Sequence, residues 1–112
     1  MIAGAHKRVV NIVSSWAGVE TAPHRFGGTE FRLGTRELGH IHGNVLVDIP
    51  FPKQIRNEIV DAGSAEPHHV LPESGWISRW LRDESDVDQA IDLLRRSWEL
   101  AQSQRERLVG EG

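Results

Sequence analysis

Four of the six histidines fall between Glu37 and Trp80, as His40-Ile41-His42 and His68-His69, with Asp48, Ser74 and Trp76 in the same stretch. Imidazole ligates divalent metals, exchanges protons near neutral pH, and donates or accepts a hydrogen bond according to its tautomer. Any chemistry this chain performs is therefore expected here. On a strand, His40 and His42 would project from one face about 7 Å apart, a spacing that lets two rings serve one ion. His68 or His69, with Asp48 or Glu66, would complete such a set. The alternative is a polar sheet face where the rings hydrogen-bond only to their neighbours.

If Glu66 to Leu71 is a strand, His68 and His69 point to opposite faces, so only one of them joins the site while the other packs near Trp76. Ser74 lies in Pro72-Glu73-Ser74-Gly75. Without the Gly-x-Ser-x-Gly elbow of a nucleophile, a serine in such a setting is a turn residue that bonds its own backbone. Asp48, just before Ile49-Pro50, is expected to cap a helix start rather than act as a general base. The candidate ligand-binding residues are His40, His42, His68, His69, Ser74 and Trp76, with His40 and His42 as candidate metal ligands.

The chain has 112 residues, which is one domain with one core. Four tryptophans and three phenylalanines supply much of the apolar area that core needs. The absence of cysteine excludes disulfides, thiolate catalysis and cysteine-rich zinc sites, leaving His and carboxylate as the metal ligands. With no long apolar run and no secretory pattern at the start, the expectation is a cytoplasmic protein that does not enter a membrane. A net charge of −3 with mixed signs makes nucleic acid an unfavourable partner, since polyanions are held by clustered Lys and Arg.

The elements that must position these residues follow from periodicity. Val9, Ile12, Val13 and Trp16 predict an amphipathic helix over about 4–17, anchored by Trp16. After a turn at Gly27-Gly28, Glu30 to Leu33 alternates as a half-buried strand, closed by Gly34-Thr35-Arg36. Leu38 to His42 and Asn44 to Ile49 are β-prone and are joined around Gly43 by a bulge or a hairpin. Pro52 suits the first turn of a helix with Ile55 and Ile59 buried, ending at Ala62-Gly63. Glu66 to Leu71 and Gly75 to Leu81 read as a hairpin. On its second strand, Trp76 and Trp80 are assigned inward and Arg79 outward, where it could join Arg32. Ser85 is expected to cap a final helix that buries Val87, Ala90, Ile91, Leu94, Trp98 and Ala101 and frays from Gln102 to Gly112. The sum is a single α+β domain, residues 1–112, whose helices cover one face of a mainly antiparallel sheet.

The runs His40-Ile41-His42 to Asp48-Ile49-Pro50-Phe51-Pro52 and Glu66-Pro67-His68-His69-Val70-Leu71-Pro72-Glu73-Ser74-Gly75-Trp76 resemble a family of small bacterial and fungal proteins called the luciferase domain, over about 31–101. That resemblance implies neither light emission nor a flavin, for there is no Gly-rich phosphate loop between a strand and a helix. In layout, Trp76 and Leu94-Arg95-Arg96-Ser97-Trp98-Glu99-Leu100 also resemble the MmcQ/YjbR-like proteins, for which DNA binding has been proposed from fold. The function expected is a binding or regulatory module for a small molecule or a protein, with its His-rich site on the sheet surface. A small His/carboxylate metalloenzyme is the alternative, and a nucleic-acid-binding domain the third reading.

Overall fold

A computed structural model of the chain describes residues 1–111. In chain order the elements are α1 (Ala5–Val13), β1 (Val19–His24), β2 (Gly28–Leu33), β3 (Arg36–His42), β4 (Leu46–Pro50), α2 (Lys53–Asp61), β5 (Glu66–Pro67), β6 (Trp76–Trp80) and α3 (Glu84–Glu111). The six strands form one antiparallel sheet in the order β1-β2-β3-β4-β6-β5. This is the α+β arrangement expected, with the helices' buried residues in one core with Phe31, Ile41, Val47, Ile49 and Ile77.

Antiparallel partners share a face, so the register decides what meets on the other side of the sheet. One cross-strand row runs Ala22, Glu30, His40, Asp48, Ser78, Glu66. It lies opposite the helices. In β3 the alternation is reset by a bulge: Phe31 opposes Gly39 and Arg32 opposes Glu37, leaving Leu38 as the extra residue. Gly39 makes this possible. Its φ is 152°, and a Cβ there would come within 2.8 Å of the Leu94 side chain and 2.9 Å of the Asp48 carbonyl oxygen. The bulge turns His40 away from the core, where Leu38 and Ile41 are fully buried.

Several expectations change. β1 was not expected; it tolerates Pro23 because it is an edge strand, where a missing N–H costs no ladder bond. α1 stops at Val13, four residues short of the predicted end, and Trp16 is only partly buried. Leu38 to His42 and Asn44 to Ile49 form a hairpin. β5 is two residues long, so His68 to Gly75 is a loop and not the first half of a strand pair.

On β6 the predicted sidedness is inverted. Ile77 and Leu81 are in the core while Trp76 and Trp80 are half-buried on the opposite face, because Ile77 pairs with buried Ile49 across the ladder and shares its face. Arg79 faces the helices, where its guanidinium meets Asp86 Oδ1 at 2.5 Å and also bonds Gln89. It does not join Arg32, which bonds Glu30 on the other face.

Asp83, not Ser85, caps α3: its Oδ1 accepts the Asp86 amide at 2.9 Å, and Asp86 Oδ2 accepts the Arg82 and Asp83 amides in return. The helix buries Val87, Ala90, Leu94 and Ala101 as expected, whereas Ile91 and Trp98 are only partly covered and Ser97 takes a core position, donating to the Leu38 carbonyl at 2.8 Å. Helix continues through Glu111 where fraying was expected, carried by the good helix formers Gln102, Gln104, Arg105, Glu106, Arg107 and Leu108. Gly112 lies outside the described residues. No helix among the described residues is long and apolar enough to cross a membrane.

Candidate functional site

Asp48 sits mid-strand in β4, fully buried, and is the centre of the site. It caps nothing. The N-cap residue of α2 is Pro52, without a side-chain cap, and the register of β4 turns the Asp48 carboxylate to the helix-free face. Ser78, its partner on β6, donates its hydroxyl to Oδ1 at 2.7 Å. Oδ2 then faces four imidazoles through their Nε2 atoms: His42 at 3.1 Å, His40 and His69 at 3.2 Å, and His68 at 3.5 Å.

His40 and His42 come from one strand face, as the two-residue repeat requires. His68 and His69 arrive together instead of on opposite faces, since a loop is not bound to alternate. Two local bonds fix that loop: the His69 amide donates to Ser78 Oγ at 3.2 Å, and His68 Nδ1 accepts the Val70 and Leu71 amides at 3.1 and 3.0 Å. His68 therefore carries its hydrogen on Nε2, towards Asp48.

Carboxylates hold the outer ring nitrogens of His40 and of a fifth histidine, His24. His40 Nδ1 lies 2.6 Å from Glu37 Oε2, and His24 Nδ1 lies 3.2 Å from Glu30 Oε1. His24 stacks on His40 with ring centroids 3.9 Å apart, and Trp76 flanks His40 and His68 at 5.3 and 6.0 Å.

The charges follow from these contacts. Burial opposes a charge on His40, but bonds to Asp48 and Glu37 prevail and raise its pKa to about 9, making it an imidazolium between two carboxylates. Burial would raise the Asp48 pKa, yet bonds from His40 and Ser78 hold it well below the usual carboxylate range. His42 is pushed down by burial and then by the His40 charge, and His68 by burial despite Asp48. Glu30 is lowered by its bonds to Arg32 and His24.

Above this floor opens a cavity of about 480 Å³ with Phe26, Val70 and Leu71 among its walls, all of them exposed. Residues 35–97 match the family model described as the Luciferase domain. The chain belongs to that family. The match takes in β3, β4 and the His68-His69 loop, so the Asp48 cluster lies inside the luciferase domain. Neither a curated protein nor a solved structure matches the chain, and the likeness to MmcQ/YjbR-like proteins gains no support.

Of the expected site residues, the luciferase domain brings together His40, His42, His68, His69 and Trp76. Ser74 stays outside the cavity, its hydroxyl donating to the Leu71 carbonyl at 2.7 Å and accepting the Trp76 amide at 3.2 Å, the turn role expected of it. Glu66 turns to Arg82 rather than to the histidines, at 3.1 Å. Sequence reasoning missed Asp48 as the centre, and His24, Glu37 and Phe26 altogether. A signal existed for Glu37, whose place three residues before His40 across the bulge brings the two side chains together. For His24 it was hidden with β1.

Proposed function

We propose that this luciferase domain is a binding module for a small molecule with an apolar body and one polar end, seated on the helix-free face of the sheet. The observation that carries this reading is Phe26. It is 99% exposed, at the tip of the β1–β2 turn and at the mouth of the cavity, and its φ is +56°, a conformation that costs an ordinary residue free energy. A strained, solvent-exposed aromatic gives the free protein nothing, which points to a use in the bound state. Val70 and Leu71 add an apolar wall across from it, and the imidazole floor offers donors to the polar end. Such a site suits a molecule of one or two rings better than a nucleic acid strand, for which the net charge of −3 is also wrong.

The test is a titration with 2-naphthoate and 2-naphthol, read by NMR at the Trp76 indole N–H and at the Val70 and Leu71 methyls. Saturable shifts at those three residues that weaken in a Phe26→Ser variant are expected. Shifts confined to other surfaces, or equal in the variant, would remove the reading.

A further inference from the structure

The number of ring nitrogens facing Asp48 exceeds what its free oxygen can accept. A carboxylate oxygen has two lone pairs, and while Ser78 engages Oδ1, Oδ2 is the oxygen that four imidazoles approach within 3.5 Å. Two are accounted for. His40 lies between two carboxylates and donates to both, and His68, whose Nδ1 accepts two backbone amides, turns its Nε2–H towards Oδ2 from 3.5 Å, the longest of the four contacts. His42 and His69 remain, with Nε2 at 3.1 and 3.2 Å from the same oxygen and, among the described residues, no protein partner on Nδ1. With His40 on one lone pair of Oδ2, the single lone pair left cannot serve both rings as acceptor, and they do best with their hydrogens on Nδ1, towards solvent. Their Nε2 lone pairs then point at an oxygen that is itself negative. That arrangement is repulsive alone and favourable around a cation.

We propose that His42, Asp48 and His69 bind one divalent transition-metal ion, of the zinc class, at the floor of the cavity. The spacing fits: ligands bound to one such ion at about 2.0–2.2 Å lie about 2.9–3.4 Å from a neighbour in tetrahedral or octahedral geometry. The His42 and His69 rings meet edge to face, at 90°, so their lone pairs can converge, whereas the parallel stacked rings of His24 and His40 aim theirs side by side. His24, His40 and His42 also lie close enough to share an ion, but the stacking disfavours that set. Two imidazoles and a carboxylate, without thiolate, suit zinc, iron(II), nickel or copper(II) rather than copper(I). The ion takes the lone pair of Oδ2 that His40 leaves, and His40 and Ser78 are then the outer bonds that orient the Asp48 carboxylate. Three protein ligands leave at least one position open to the cavity, where the polar end of a bound molecule would complete the coordination. The ion thus deepens the binding reading by sharing its cavity.

Untagged protein stripped with chelator and titrated calorimetrically with Zn²⁺ alone should bind one ion per chain. Co²⁺ should bind with a visible spectrum that changes when His42 or His69 is replaced. His42→Ala and His69→Ala should each weaken Zn²⁺ by more than the about 10–100-fold typical of losing an outer bond, and His24→Ala by less than about tenfold. His69 stands on a loop and is exposed, so its variant tests the site even if another replacement fails to fold. Absence of stoichiometric Zn²⁺ binding, or dependence on His24 with none on His69, overturns the proposal. 2-Naphthoate binding by stripped protein that takes no Zn²⁺ would sink the ion and leave the binding module. Zn²⁺ binding without a naphthoate response would support the ion and sink the apolar ligand.

Discussion

Ser78 and Asp48 are register partners on β6 and β4, and their hydroxyl–carboxylate bond of 2.7 Å holds the one buried acid of the sheet's helix-free face in a single orientation. With the carboxylate so turned, all four imidazoles that reach Asp48 do so at Oδ2. The hydroxyl thereby gathers His40, His42, His68 and His69 about one atom.

Replacing Asp48 by Ala should cost the metal-free protein about 3–5 kcal/mol, the penalty for leaving one member of a buried ion pair without its partner. The charge left behind is that of His40 beneath Trp76. Urea unfolding of the chelator-treated variant measures the loss, and a cost below about 1 kcal/mol would mean that His40 is neutral in the native state. Ser78→Ala should cost less, about 1–2 kcal/mol for one charge-assisted hydrogen bond.

His40 also sets a pH dependence. Its folded pKa, about 9, is above the ordinary histidine value near 6.5, so its contribution to stability is complete below about 6.5 and is lost as pH rises through 9. The groups facing it are Glu37, Asp48, His24 and His42. Asp48, held low, gives up its contribution only in acid, below about 4, and His42, held low, acts below 6.5 in the opposite sense to His40. Chelator-treated protein should therefore lose thermal stability between pH 6.5 and 9, and Glu37→Gln should flatten that loss. A melting temperature unchanged over this range in the parent protein would contradict the imidazolium.

Gly39 joins the fold to the site. A Gly39→Ala change meets both the Leu94 side chain and the Asp48 carbonyl at a φ that favours glycine, and should cost about 2–4 kcal/mol while displacing His40. Trp98→Ala should cost less than the about 3–5 kcal/mol of a fully buried indole, because Trp98 lies at the edge of the core against Trp16 and Arg95, bonded to the Ala17 carbonyl. Guanidinium unfolding of both variants ranks them; a costlier Trp98→Ala would place the core's centre at the wrong end of α3.

Much of this fold was legible because it rests on local signals. The periodicity of α3, the Gly63 stop after α2 and the Pro50-Phe51-Pro52 break each read correctly from neighbouring residues. What failed depended on register. Whether Ile77 or Trp76 faces the helices turns on its pairing with Ile49 or Pro50 across the ladder, and area alone favours the indoles. Asp48 resembled a cap because of the nearby prolines, while its burial came from four rings that converge only after three strands and a loop have met. His68 and His69 were separated by strand logic that their loop does not obey.

Phe26 offers the last prediction, since strain and exposure at one residue should separate stability from binding. Its backbone at φ +56° costs an L-residue about 1–2 kcal/mol, which glycine avoids, although glycine also gives the unfolded chain more freedom. Phe26→Gly should thus leave the protein as stable as the parent or more stable by up to about 1 kcal/mol, as calorimetric unfolding would show. Because the ring is fully exposed, no packing is lost to offset the relief. The same change should weaken 2-naphthoate about tenfold, the effect of removing one apolar wall worth about 1–2 kcal/mol from a small site. Phe26→Gly that destabilises the fold while leaving naphthoate affinity intact would show that the ring serves the turn and not the cavity.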